Sequence, residues 1–311
     1  MYRIRSCPIC DSADSDSLPA IVAPFVSYYA VGVPPVRCSL LECRRCSFRF
    51  FDTRLTADET DRLYAGYRGD AYFRERHRHE WWYSRKINDD IGRNPQEIES
   101  RKQAVEAFLR KHVDWEAVET VLDYGGDRGQ FIPESLGKKK YVFEISAAVP
   151  VEGVTRIASA AGLGAGGFDF IMLCHVLEHC SDPCATLRAF KELGRGAESL
   201  YYIEVPYERF DLTFAGRGAL YERYLGALTR FRLALQVVDF YSTVLRTRWN
   251  LIPPFGLIKC HEHLNYFNEK SLALLLQNNG FDIVACTAVA LRPRSPLKTK
   301  VLQAVARRRL E

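Results

Sequence analysis

Three groups of residues in this 311-residue chain have the types and spacing that chemistry requires. His261-Glu262-His263 sets two imidazoles around one carboxylate, and histidine titrates near neutrality, where general acid–base work is done. Cys7-Pro8-Ile9-Cys10 and Cys43-Arg44-Arg45-Cys46 are C-x2-C pairs separated by 32 residues. Thiolates so spaced can grip a tetrahedral zinc from two sides. The run Val121–Phe131, V-L-D-Y-G-G-D-R-G-Q-F, climbs through apolar residues to Asp123 and breaks into a turn at Gly125, Gly126 and Gly129. Such a turn lets backbone approach a nucleotide-like ligand because no Cβ intervenes. The helix expected after it would offer free N–H groups to polar atoms.

These groups need a frame. Strands are expected over Glu119–Asp123, Tyr141–Ile145, Thr155–Ala158, Phe168–Leu173 and Leu200–Val205, with amphipathic or glycine-rich segments such as Ala185–Leu193 between them. Alternation of this kind predicts an α/β fold with a parallel sheet and helices on both faces. Ligands bind beyond the carboxyl ends of such strands, where Asp123, Glu144, Cys174 and His175 all fall. Glu144 stands 21 residues after Asp123, where a dinucleotide-type fold places an acid for ribose hydroxyls. Thr56–Glu59 has the pattern of a capping box opening a helical stretch over 56–115. Its aromatics, among them Tyr67, Tyr72, Trp81 and Trp82, and its arginines 68, 74, 76 and 78 predict a packed helical layer or a lid. Asn268–Asn279 predicts a helix closed by Gly280 and followed by a strand from Phe281.

The D-x-G-G-x-x-G turn, the acid at the next strand end and F-D-F-I…H-V-L-E-H-C-S-D-P over 168–183 resemble the class I S-adenosylmethionine-dependent methyltransferases, above all the branch acting on small molecules and sugars. The resemblance runs from about Val118 to Val284. It implies a Rossmann-like sheet, S-adenosylmethionine as methyl donor, and Asp123, Gly125, Gly126, Gly129, Glu144, Cys174 and His175 around that donor. Asp127 stands where the family's middle glycine is expected. The G-x-G-x-x-G of NAD dehydrogenases is absent. H-E-H-x-x-Y-F followed by a helix and N-G-F also occurs in this branch. In its sugar C-methyltransferases the residue matching His263 is the general base, so His263 is expected as base, Glu262 as the acid that orients it, and His261 as the alternative. Cys260 replaces a tyrosine of those enzymes, and their C-methylation is not carried over. The expected activity is transfer of a methyl group to a sugar hydroxyl of a nucleotide-sugar or surface glycan. Sugar C-methylation, a small-metabolite acceptor and a non-catalytic scaffold of a glycan assembly complex are the alternatives.

Composition, 47% hydrophobic and 26% charged, is that of a soluble globular protein. No apolar run reaches the ~18–20 residues a membrane span needs, and the N-terminus lacks the apolar core of a secretory signal. The expected location is cytoplasmic, where paired cysteines read as zinc ligands rather than disulfides. The expected organisation is a zinc-binding knuckle module over 1–52, a helical lid or linker over 53–115, and a methyltransferase core over 116–286. A helical cap over 206–258 interrupts the core, and a basic tail covers 287–311. The knuckle module is too small for a core of its own, so metal would supply much of its folding energy. The chain carries +5 and the tail 7 − 1 = +6, so the rest is nearly neutral and nucleic acid is not an expected partner. Leu297–Leu310 predicts either a basic amphipathic helix in peripheral contact with an anionic membrane or a solvated end. The cap, with seven arginines against four acids, predicts a lining for the acceptor pocket, a membrane-resting surface or simply a packed layer.

Overall fold

The computed structural model describes residues 1–146, 148–163, 167–291 and 300–309, the side chains at 160 and 161 excepted. It divides into two units. Met1–Cys7, Asp11–Ile91 and Glu208–Tyr266 form the first, and Pro8–Cys10, Gly92–Tyr207 and Phe267–Glu311 the second.

In the second unit, seven strands form one sheet: β1 (Thr120–Tyr124), β2 (Lys139–Phe143), β3 (Val154–Ile157), β4 (Phe170–Cys174), β5 (Leu200–Pro206), β6 (Phe281–Ala290) and β7 (Lys300–Arg308), in the order β6-β7-β5-β4-β1-β2-β3. Strands β1 to β5 run parallel, and β7 runs antiparallel to both β5 and β6. The central strands are largely apolar because both their faces are covered, with Asp123, Glu204 and Gln303 as buried polar exceptions. Tyr201 and Tyr202, neighbours on β5, point to opposite faces as the two-residue strand period demands. Tyr202 meets Phe108 of the helix Pro95–Leu109 at 6.2 Å, and Tyr201 meets Phe190 of the helix Pro183–Lys191 at 5.4 Å. Both helices start alike. Asn94 and Asp182 accept N–H groups of the first turn, each with proline next in the chain.

Two expectations are corrected here. No helix follows the glycine turn: residues 125–138 are a chain of turns, with N–H bonds from Gly129 to Gly126 (2.9 Å), Ile132 to Gly129 (3.3 Å) and Leu136 to Pro133 (3.1 Å). Pro133 has no N–H to give an α-helical ladder, so the crossover closes by three-residue steps. The helix or solvated end expected over Leu297–Leu310 is instead, over Lys300–Arg308, a strand inside the sheet; residues 297–299 and 310 lie outside those described. Val301–Ala306 is buried, and the charges of Lys300, Arg307 and Arg308 sit at its two ends. Averaging seven basic residues over 25 hides that neutral centre.

In the first unit a five-stranded sheet runs in the order Lys259–Cys260, Ser15–Val22, Arg37–Cys43, Arg49–Phe51, Asn265–Tyr266. Its core joins Leu18, Phe25 and Phe51 to Leu63 and Tyr72 of the following helices and to Phe210, Ile258 and Tyr266. The N-terminal segment thus does not rely on metal alone for a core, because later strands supply its sheet edges. The Thr56 capping box is present: Glu59 accepts the Thr56 N–H at 2.8 Å and the Thr56 hydroxyl accepts the Glu59 N–H. Among the described residues no helix is long and apolar enough to cross a membrane.

Burial of β7 makes a testable distinction. Leu302→Ala is expected to lower unfolding stability by about 2–5 kcal/mol in urea titrations, where a solvated tail would give no change beyond about 0.5 kcal/mol.

Candidate functional site

At the carboxyl end of β1 the Asp123 side chain is wholly buried, and neither carboxylate oxygen has a hydrogen-bond partner among the described residues. Burial, reinforced by Glu144 and Glu204 and opposed by Arg101, pushes its pKa up to about 7. A carboxyl in that condition calls for a cation or a pair of donors. A Cβ on Gly126 would lie 2.1 Å from that carboxylate, so glycine is what lets the turn close over Asp123. Gly125 and Gly129 bracket the turn at positive φ, and the Gly125 N–H reaches the Phe143 carbonyl at 2.8 Å. Asp127, where glycine was expected, takes the left-handed region at φ +54°. Aspartate is among the few residues that adopt it readily. Its N–H donates to Glu144 Oε2 at 3.1 Å, while Glu144 Oε1 accepts the Ser146 N–H at 2.8 Å. Glu144 is therefore aimed at the glycine turn, with lone pairs left over for hydroxyl donors.

Cys174 and His175 follow at the end of β4. Burial, with Asp123 and Glu204, pushes the Cys174 thiol far above its ordinary range, so it stays protonated. His175 is left-handed at φ +58°, with Nε2 3.3 Å from Glu204 Oε1 and Nδ1 3.4 Å from Glu178 Oε1. Sequence reasoning missed the pair behind it. Arg101, on the helix Pro95–Leu109, donates through Nε to Glu204 Oε1 at 2.6 Å and lies 3.9 Å over the Phe131 ring. Tyr202 and Gln303 donate to the other Glu204 oxygen at 2.7 and 3.1 Å. Burial would raise the Glu204 carboxyl, but Arg101, His175 and Tyr202 hold it far below the usual carboxylate range. The Arg101 Nη2 is buried with no hydrogen-bond partner among the described residues. No local signal joins two residues 103 positions apart.

The H-E-H residues line a cavity of about 220 Å³ in the first unit, together with Arg76, Trp82, Glu208 and Tyr266. His263 Nδ1 lies 2.7 Å from Glu208 Oε1, and Arg246 is 3.5 Å from the other Glu208 oxygen. The acid expected to orient His263 was Glu262. That carboxylate instead accepts the Tyr72 hydroxyl and lies 3.7 Å from Arg76. A tyrosine 190 residues away captures it, which adjacency in sequence cannot reveal. His261 is stacked on Phe25 with Nε2 3.1 Å from Glu80. Burial pushes its imidazole below the ordinary value, with Glu80 opposing and Arg76 reinforcing. Glu80 and Asp239 both bind Lys259, at 2.5 and 2.7 Å.

Cys7, Cys10, Cys43 and Cys46 bring their sulfurs within 4.8 Å of one another, and Cys7 and Cys46 are 3.6 Å apart. The two knuckles repeat one geometry. Asp11 N–H bonds Cys7 O and Ser47 N–H bonds Cys43 O, while Cys7 N–H bonds Ser12 O and Cys43 N–H bonds Phe48 O, all at 2.8–2.9 Å. Asp11 and Ser47 both take left-handed φ, +55° and +57°. Four ligands at about 2.3 Å from one ion stand about 3.7 Å apart, so the cluster fits a tetrahedral zinc.

A family model described as a methyltransferase domain matches residues 82–286. Among solved structures, the chain is similar to a 1,6-didemethyltoxoflavin-N1-methyltransferase of Burkholderia thailandensis with bound 1,6-didemethyltoxoflavin and S-adenosylhomocysteine; identity is 17%, coverage 85% of this chain and 95% of that one, TM-score 0.47. It is also similar to a magnesium protoporphyrin IX methyltransferase of Synechocystis PCC 6803 with bound S-adenosylhomocysteine, at 14% identity, 68% and 86% coverage and TM-score 0.41. No curated protein matches the chain.

The Asp123 carboxyl sets a pH dependence. Its pKa is about 7 folded against 3.8 for the ordinary group, so the folded chain holds more protons between those values and loses stability as pH rises through them. Asp123→Asn removes that loss. At pH 8 without ligand the variant is expected to be more stable by on the order of 2–4 kcal/mol, and at pH 4 nearly equal. Thermal melts at both pH values check this, and a pH-independent difference would show that the buried carboxyl is not the cause.

Proposed function

The chain belongs to the class I S-adenosylmethionine-dependent methyltransferases, and on that premise we propose that it methylates a sugar hydroxyl to an O-methyl ether. S-adenosylmethionine supplies an electrophilic methyl group on a sulfonium centre. Asp123, the Gly125–Gly129 turn, Glu144, Cys174 and His175 would hold it. The buried Asp123 carboxylate suits its positive charge, Glu144 its ribose hydroxyls, and the unpartnered Arg101 Nη2 its carboxylate.

The observation that carries the acceptor reading is the Glu208–His263 pair on a polar cavity walled by Trp82 and Tyr266. A sugar hydroxyl keeps its proton tightly, so a base is needed as the oxygen attacks. His263 takes that proton, and Glu208 fixes the ring and stabilises the imidazolium through Nδ1–H, as the acid of a catalytic triad does. His261, buried and shifted toward its neutral form, is the weaker candidate, and Glu262 serves to position Tyr72 and Arg76. Cys7, Cys10, Cys43 and Cys46 hold a structural zinc in this reading, supported by the matching knuckles.

His263→Ala is expected to lower kcat by about 10²–10⁴-fold with S-adenosylmethionine affinity unchanged by calorimetry. Glu208→Gln is expected to lower kcat less and to move the acidic limb of the pH–rate profile. Retained turnover in His263→Ala would dismiss this base, and no heat of cofactor binding in the native chain would favour the non-catalytic scaffold. For the metal, elemental analysis is expected to find one zinc per chain. Cys43→Ser or chelation should release it and lower the melting temperature without full unfolding, because later strands share the core. An undiminished melting temperature would leave the cysteines without a structural metal.

A further inference from the structure

Residues 214–255 expose an unusual density of large apolar side chains. Leu220 is 80% exposed, Phe255 78%, Leu233 77%, Phe231 65% and Val237 63%. The helices Ala219–Leu228 and Arg232–Trp249 form a hairpin through the short turn that carries Arg230 and Phe231. Its inner face is already satisfied: Tyr221, Leu225, Leu228 and Leu235 pack with Ile21 and Leu257. On the second helix, Leu235, Asp239 and Ser242 mark the buried side. Leu233, Val237 and Tyr241 recur every four residues on the opposite side, so they share one outward stripe. The Tyr224 hydroxyl donates to the Phe255 carbonyl at 2.6 Å, which pins that exposed ring beside the first helix.

Charge identifies the occupant. Arg217, Arg223, Arg230, Arg232 and Arg248 are all exposed on this segment against one exposed acid, Glu222, with Asp211 just ahead of it. Glu222 lies 3.4 Å from Arg37, and Asp211 caps the Thr213 N–H and hydroxyl. Protruding Phe and Leu side chains flanked by arginines match the interfacial zone of an anionic bilayer, where rings and aliphatic chains enter the acyl boundary and guanidinium groups stay among phosphates. A scatter of single exposed apolar residues would need no explanation; five on one hairpin and its neighbouring loop do.

We propose that the helical hairpin over 219–249, with Phe255, docks on the surface of an anionic lipid bilayer. The proposal is independent of the acceptor's identity, because Leu220, Arg230, Phe231, Leu233, Val237 and Phe255 are not among the residues lining the cavity of His263. The amphipathic helix expected over Leu297–Leu310 is, over Lys300–Arg308, a strand of the sheet with Val301–Ala306 buried.

Co-flotation of the full chain tests it, with vesicles of phosphatidylcholine alone and with 30% phosphatidylglycerol added, at about 0.05 and 0.5 M salt. Binding is expected only to the anionic vesicles and is expected to weaken at high salt. Leu233→Glu/Val237→Glu should reduce it at least tenfold, and Arg230→Ala about fivefold. Cofactor affinity and circular dichroism melts, measured on the same variants, report folding and keep a failed methyltransferase reading distinct from a failed docking surface. Equal binding to both vesicle types, or none, overturns the proposal. So does a native dimer in light scattering that Leu233→Glu/Val237→Glu turns into a monomer, since the face would then cover a second copy of the chain.

Discussion

The ionised carboxylate of Glu204, enclosed at the centre of the second unit, is the constraint on which its arrangement depends. Removing one partner from a buried ion pair typically costs about 3–5 kcal/mol, because the other charge is then stranded. Glu204 has four kinds of partner: Arg101 from the preceding helix, Tyr202 from its own strand, Gln303 from the last strand, and His175 from the end of β4. One charge thereby fixes where the helix Pro95–Leu109 lies, why a polar Gln303 belongs inside β7, and how His175 is turned. Asp123 shows the opposite condition at the same sheet edge. It is equally buried but lacks hydrogen-bond partners among the described residues, so its carboxyl drifts toward the neutral form. A carboxylate satisfied by protein serves the fold; one left without partners among the described residues, beside a glycine turn, has lone pairs to spare.

A similar division runs through the first unit. Burial would raise the Glu80 carboxyl, but Lys259, His261 and Arg76 hold it well below the carboxylate range. These charges neutralise one another inside the fold and fasten the segment around Lys259–Glu262 to the helix Asp70–His79. His261 and Glu262 are absorbed by that fastening. His263, on the other side of Glu262 in sequence, meets Glu208, a residue that is only one-third exposed and has Arg246 at hand. Three adjacent residues of apparently equal chemical promise are thus sorted by what packs against each.

The cysteine knuckles illustrate a compromise between local and shared stability. Their repeated turn geometry is local, set within six residues at each pair. Their surroundings are not: Phe48 and Phe50 stack at 5.5 Å, and the strand Arg49–Phe51 pairs with Asn265–Tyr266. A metal held by the four cysteines would tighten a sheet whose core already extends into later parts of the chain.

Short-range signals in the amino-acid order determined much of this protein. Apolar runs over Glu119–Asp123, Tyr141–Ile145 and Phe168–Leu173 predicted parallel strands, the Thr56–Glu59 capping box and the Asn268–Asn279 pattern closed by Gly280 predicted helices, and cysteine spacing predicted two knuckles. Each signal acts within a few residues, where backbone geometry is nearly independent of the rest of the chain. Tertiary structure alone decided that 125–138 forms turns, that a basic C-terminal stretch supplies an inner strand, that Arg101 finds Glu204 and that Glu208 meets His263 across 55 residues. Those outcomes follow from which strands become neighbours. A carboxylate's partner is chosen by proximity in three dimensions, and the order β6-β7-β5-β4-β1-β2-β3 is a property of the whole sheet rather than of any segment in it.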